Sequence, residues 1–111
     1  MTLLYRGTRT AEGCVVTRAD GTPLDPRLDL RELCRGFDWG AVNSGAAQLA
    51  LAVLADYLQD DERAVELHLA FKRRVVVGLP KQAWSLAGDA VDAALAQIEE
   101  EDFTQETGGG G

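Results

Sequence analysis

The run Ala46-Ala47-Gln48-Leu49-Ala50-Leu51-Ala52-Val53-Leu54-Ala55 constrains this chain more than any other stretch. Ala and Leu are strong helix formers, and nothing in the run breaks a helix. Wound at 3.6 residues per turn, the run is apolar on every side except at Gln48. A helix hydrophobic all round must lie inside a protein, with other elements packed against each face. Phe37-Asp38-Trp39-Gly40-Ala41-Val42-Asn43-Ser44-Gly45 leads straight into it, so this aromatic, glycine-punctuated loop is expected to form a wall of the core. Gln48 then needs hydrogen-bond partners, because a buried amide left without them costs about 1–3 kcal/mol. The loop 37–43 is the expected source.

Size and composition set the bounds. The 111 residues have room for one domain, which would bury about 65% of its unfolded surface. The reading is a single compact domain over residues 1–103 and a disordered, Gly-rich acidic tail over 104–111. Crossing a bilayer takes about 20 apolar residues, and the long apolar run closes at Asp56. The opening Met-Thr-Leu-Leu-Tyr-Arg-Gly lacks a basic start followed by an apolar stretch, so it does not read as a signal peptide. A cytoplasmic location is the expectation. Cys14 and Cys34 have no His or Cys at ligand spacing, which points to free, half-buried thiols rather than a disulfide or a metal site.

The local patterns predict an α+β fold: a small N-terminal antiparallel hairpin or sheet packed on a three-helix C-terminal part with a buried central helix. Residues 3–9 and 14–18 read as strands joined by the turn Thr10–Gly13. Asp20-Gly21 marks a tight turn, and Thr22-Pro23-Leu24 a short edge strand, where the missing proline N–H is harmless. Asp25-Pro26 fits a helix start, followed by a short helical turn within 26–34. The main helices are expected at 44–59, from 60–62 to 74, and at 88–102. Ser44 or Asn43 caps the first. The acids Asp60, Asp61 and Glu62 suit the start of the second, and Lys72-Arg73-Arg74 its end. Trp84-Ser85-Leu86 alternates as a strand that would lie beside the hairpin.

The net charge of −7 is uneven: all eleven Lys and Arg lie before residue 89, whereas seven of the eighteen acids lie from Asp89 onward with no base among them. Such an end is either a solvated helix face or a surface for a basic partner. Asp89, Asp92, Glu99 and Glu100 lie off the Val91–Leu95–Ile98 stripe and are the candidate protein-binding residues. Lys72-Arg73-Arg74 is the only basic cluster, and a helix C-terminus accounts for it, so nucleic-acid binding is the weakest of three functional readings.

Motifs of catalysis and metal binding are missing. There is no His-Glu-x-x-His, Cys-x-x-Cys, Gly-x-Ser-x-Gly or phosphate-binding loop, and the chain calls for no metal and no cofactor. No catalytic residue is named. His68, the single histidine, sits on the buried side of its helix and reads as a packed residue. Asp25 and Asp29 are one helical turn apart, but capping and surface roles explain them more simply. Asn43-Ser44-Gly45 places backbone N–H groups at a helix start, a potential anion site. With Asp38 as a second polar group, Trp39 as a stacking face, and Gln48, these residues are the candidate ligand-binding set.

Tyr5-Arg6-Gly7, Leu24-Asp25-Pro26-Arg27, Phe37-Asp38-Trp39-Gly40, Ser44-Gly45-Ala46-Ala47-Gln48-Leu49-Ala50-Leu51-Ala52 and Leu79-Pro80…Trp84-Ser85-Leu86 together resemble a family of small uncharacterised domains found in bacteria, archaea and phages. The resemblance spans residues 4–98 and is most specific from Phe37 to Leu54. It implies a compact accessory domain and carries no activity. The leading expectation is therefore a small protein-binding module, phage- or mobile-element-encoded, that acts as an inhibitor or adaptor by occupying a partner surface. The alternative is a small-ligand or anion-binding domain, or a minor enzyme, centred on the loop 38–45.

Overall fold

The computed structural model describes residues 4–110, with side chains from Tyr5 to Glu100. Leu3, expected to begin the first strand, lies outside the described residues. The order of elements is β1 (Leu4–Thr10), β2 (Gly13–Thr17), α1 (Ser44–Leu58), α2 (Asp61–Arg74), a 3-10 turn (Val76–Gly78), β3 (Ala83–Ala87) and α3 (Gly88–Gly110). The fold is α+β, as the patterns predict. β1 is the middle strand of a three-stranded antiparallel sheet, paired with β2 through Arg9↔Cys14 and Gly7↔Val16 and with β3 through Tyr5↔Leu86 and Gly7↔Trp84. Residues opposite each other share a face, so Tyr5, Gly7, Val16, Trp84 and Leu86 line the inner side and all are buried. Arg6, Thr8, Val15, Ala83 and Ser85 occupy the outer side and are exposed.

Trp84 packs across Gly7 on that inner side. A Cβ at Gly7 would lie 2.3 Å from the indole, so only glycine lets the ring lie flat on the strand. The same indole meets Trp39 edge to face, with centroids 5.5 Å apart.

Helix α1 is the centre of the molecule. Every residue from Gly45 to Ala55 is buried, including Leu51 and Leu54 at 0%. Asn43 caps it, accepting from the Ala46 N–H at 2.9 Å, so Ser44 is the first helical residue. Helix α2 covers α1 through Ala64, Leu67 and Phe71, with Asp60 as its cap. His68 is buried on the same side, its Nδ1 2.5 Å from the Val65 carbonyl. α3 packs through Val91, Ala94, Leu95 and Ile98, and its backbone stays helical to Gly110, past the 88–102 span that the apolar stripe predicts.

Two local expectations are corrected between β2 and α1. The edge strand 22–24 shrinks to one bridge, Thr17↔Pro23, beside the Leu24 N–H bond to the Val16 carbonyl. The helix start at Asp25-Pro26 does not form either. Arg27 has φ +57°, a left-handed conformation that no α-helix continues through. Asp25 instead accepts the Arg27 N–H at 2.8 Å, and a single turn closes as Leu30 N–H reaches the Arg27 carbonyl at 3.0 Å. Residues 18–43 therefore cross the molecule as a long irregular segment, held by side chains and by a few backbone bonds such as those of the Leu24 and Gly40 N–H groups to the Val16 and Val76 carbonyls.

Candidate functional site

The segment Phe37–Gly45 and the β1–β2 hairpin enclose an open hollow of about 510 Å³. Its lining includes Arg9, Cys14, Cys34, Phe37, Asp38 and Ser44. Asp38 is its polar hub. One carboxylate oxygen, Oδ1, accepts from Arg9 Nη2 at 2.9 Å and from the Trp39 N–H at 2.8 Å, and Oδ2 accepts from Asn43 Nδ2 at 2.8 Å. Gly45 permits this approach, because a Cβ there would lie 2.8 Å from Asp38 Cβ. Arg9 Nε also donates to the Lys81 carbonyl at 2.9 Å, and its guanidinium stands 5.3 Å from the centre of the Trp39 ring.

These contacts shape the electrostatics. The Arg9 hydrogen bond, helped by Asn43 and the Trp39 N–H and opposed by burial, holds the Asp38 carboxyl below its ordinary range. Burial raises the Cys14 thiol, with Asp38 adding to the effect and Arg9 opposing it. Cys14 and Cys34 are both free and partly buried and line the same hollow. The floor is thus a fixed carboxylate–guanidinium pair beside two thiols.

The residues expected at this site are placed as follows. Asp38, Asn43, Ser44 and Gly45 come together at the hollow. Trp39 does not offer the stacking face expected of it: it is 0% exposed, its Nε1 donates to the Lys81 carbonyl at 2.9 Å, and its ring packs on Trp84. Gln48 is also corrected. Its Oε1 accepts from the Leu33 and Cys34 N–H groups at 2.8 and 3.1 Å, while Nε2 donates to the Pro26 and Arg31 carbonyls at 2.5 and 3.1 Å. All of these belong to the segment 26–34 and none to the loop 37–43. The amide that was expected to tether the nearer loop clasps the farther one, and its bonding capacity is filled there.

Arg9, Cys14 and Cys34 were missed by the sequence reading. The hairpin register alone pairs Arg9 with Cys14 on one face. The bond of Cys34 to Gln48, which brings its backbone onto α1, leaves no local mark in the sequence.

The acidic face is partly committed to the fold. Asp92 Oδ1 accepts from the Tyr57 hydroxyl at 2.7 Å, and Glu99 pairs with Arg63 of α2. Asp89 and Glu100 are exposed. Of the basic cluster, Arg73 and Arg74 are exposed and Arg74 donates to Gln97 at 3.1 Å. Among the described residues no helix is long and apolar enough to cross a membrane, and no group of three or more His, Cys, Asp or Glu could hold a metal ion.

A model of a family of unknown function, DUF6166, matches residues 5–97, which takes in nearly all of the sheet, α1, α2 and α3 as far as Gln97. No curated protein and no solved structure matches the chain.

Proposed function

The chain belongs to the DUF6166 family, whose function is unknown, and we propose that it is a small protein-binding module that takes a partner's surface at the hollow beside the start of α1. The observation that carries this reading is the character of the hollow. It is broad and open, its floor is a preorganised Arg9–Asp38 pair, and two exposed apolar side chains each directly precede one of its lining residues in the chain. Val42, next to Asn43, is 78% exposed, and Leu33, next to Cys34, is 38% exposed, with Phe37 half-buried between them. Sites for small molecules bury most of the ligand's surface, which an open hollow does poorly. A protein partner can cover both the apolar residues and the polar floor at once.

The acidic face supports the same class of function less well, because Asp92 and Glu99 already serve contacts within the chain. On this reading the module acts as an inhibitor or adaptor by occupying a partner surface.

The experiment is chemical cross-linking in the native host, followed by recovery of the tagged chain. The expected result is a partner retained by the wild type and by the Asp89→Asn/Glu100→Gln variant, and lost from Leu33→Glu/Val42→Glu with an unchanged thermal melt. Retention of the partner by Leu33→Glu/Val42→Glu, or recovery of none by the wild type, would overturn the reading.

A further inference from the structure

We propose that the outer edge of β3 receives an extended, acidic segment of a partner protein as a fourth strand of the sheet. The phase of the hydrogen bonds decides which backbone groups are on offer. The Arg9 N–H donates to the Gln82 carbonyl at 2.9 Å, and these two residues continue the β1–β3 register one step beyond Thr8↔Ala83. Directly opposed residues of an antiparallel pair alternate between exchanging hydrogen bonds and exchanging none. Gly7↔Trp84 and Tyr5↔Leu86 are therefore bonded pairs, whereas Thr8↔Ala83 and Arg6↔Ser85 are not. The N–H and C=O groups of Ala83 and Ser85 point away from β1, toward the free edge of the sheet. Both residues are exposed, and among the described residues no hydrogen bond reaches those groups.

The two edges of the sheet differ. At the β2 edge, Val16 turns its carbonyl outward by the same phase, and the Leu24 N–H takes it at 3.0 Å, with Pro23 bridged to Thr17 beside it. Edges are ordinarily blunted by a charge, a proline, a bulge or a covering segment. Ala83-Trp84-Ser85-Leu86-Ala87 carries no charge and no proline, and its register with β1 is unbroken.

The side chains beside this edge select the partner. Arg6 is the one charged residue on the outer face of the strands, and among the described residues no hydrogen bond or ion pair engages it. It lines an open hollow of about 330 Å³ together with Thr8, Ala83 and Ser85. A residue paired with Ser85 from the free side turns its side chain to this same face. Strands lie about 4.8 Å apart, which puts that residue about 10 Å from Arg6 with only the small Ser85 between them. An arginine and a glutamate side chain close that distance together. An acidic strand is thus matched in backbone and in charge, the mode of recognition in which main-chain bonds give affinity and alternate side chains give specificity. A second copy pairing β3 with β3 would bring only alanine and serine to that face, and no carboxylate. The surface shares no lining residue with the hollow beside α1.

The test is an amide-resolved NMR titration of the full chain with acetyl-Thr-Val-Glu-Val-Thr-amide, whose polar and apolar residues alternate as an added strand requires. Saturable shifts are expected at the Ala83 and Ser85 amides. Replacing the peptide's Glu by Lys should weaken binding about fivefold, the scale of an exposed ion pair, and Arg6→Glu should reverse that preference. N-methylation of the peptide's glutamate nitrogen should abolish the shifts, because it removes the donor to the Ser85 carbonyl. Ser85→Pro should abolish them from the other side, since an edge strand accepts proline where its N–H faces outward. The methylated peptide decides the matter if that variant fails to fold. The proposal is overturned if the peptide gives no saturable shift, if its shifts map elsewhere, if the methylated peptide binds as well, or if Arg6→Glu leaves the preference unchanged. Shifts at Ala83 and Ser85 that follow the concentration of the chain alone would overturn it in favour of a second copy.

Discussion

Gln48 Nε2 donates to the Pro26 carbonyl across 2.5 Å, joining the second turn of the buried helix to a backbone group twenty-two residues earlier in the chain. The same amide holds Arg31, Leu33 and Cys34. One side chain thus fixes the stretch 26–34 of an irregular segment, and through Cys34 it fixes one edge of the candidate binding hollow.

Gln48→Leu should therefore destabilise the protein by about 2–4 kcal/mol, since several backbone groups lose their partner at once. Hydrogen exchange at the Leu33 and Cys34 amides should accelerate more than exchange at residues 38–43. Equal acceleration in both segments, or none, would contradict the clasp.

The Gly7–Trp84 contact is equally specific. Gly7→Ala puts a methyl group inside the indole's volume, so the ring must leave its place against Trp39. Overpacking of this kind costs about 1–3 kcal/mol. Because the cost resides in one contact, Trp84→Leu should recover part of it, a coupling that a double-mutant cycle in denaturant reads directly.

Leu54 is completely buried in α1. Leu54→Ala should cost about 2–5 kcal/mol through lost transfer energy and a residual cavity. A loss below about 1 kcal/mol in denaturant titration would mean that the site collapses around the smaller side chain.

The pH dependence has two arms of opposite sign. Asp38 is held below its ordinary value of 3.8 by Arg9, Asn43 and the Trp39 N–H, so its contribution is present above that value and is lost as pH falls through the lower folded one. Wild-type stability should drop on acidification below about pH 4, and Asp38→Asn should show a shallower drop. Tyr5 is shifted the other way, upward, by burial and then by its bond to Asp56; Tyr57 is raised by its bond to Asp92 and by burial. Their contribution is complete below the ordinary value of 10.0 and is lost as pH rises toward the folded values. The Tyr5 hydroxyl should ionise only together with alkaline unfolding, and a tyrosinate transition that persists in folded Tyr57→Phe would show that it is not held as described.

What could be read from the sequence is what depends on neighbours along the chain. The all-round apolar run placed α1 at the centre, alternation placed β3 beside the hairpin, and capping residues placed the starts of α1 and α2 to within a residue, whereas the same signal at Asp25-Pro26 marked a helix that does not form. That Asp38, Asn43, Ser44 and Gly45 lie together was legible because they are consecutive or nearly so in the loop leading into α1. Tertiary structure alone decided the rest. The turn at Arg27 depends on carboxylates from 29 and 61, Trp39 is buried by a tryptophan forty-five residues away, and Gln48 bonds a distant segment rather than the adjacent one. A buried amide must find partners, and that requirement is visible in the sequence. Which backbone groups come within three ångströms of it depends on how separate segments pack, and no local pattern records that.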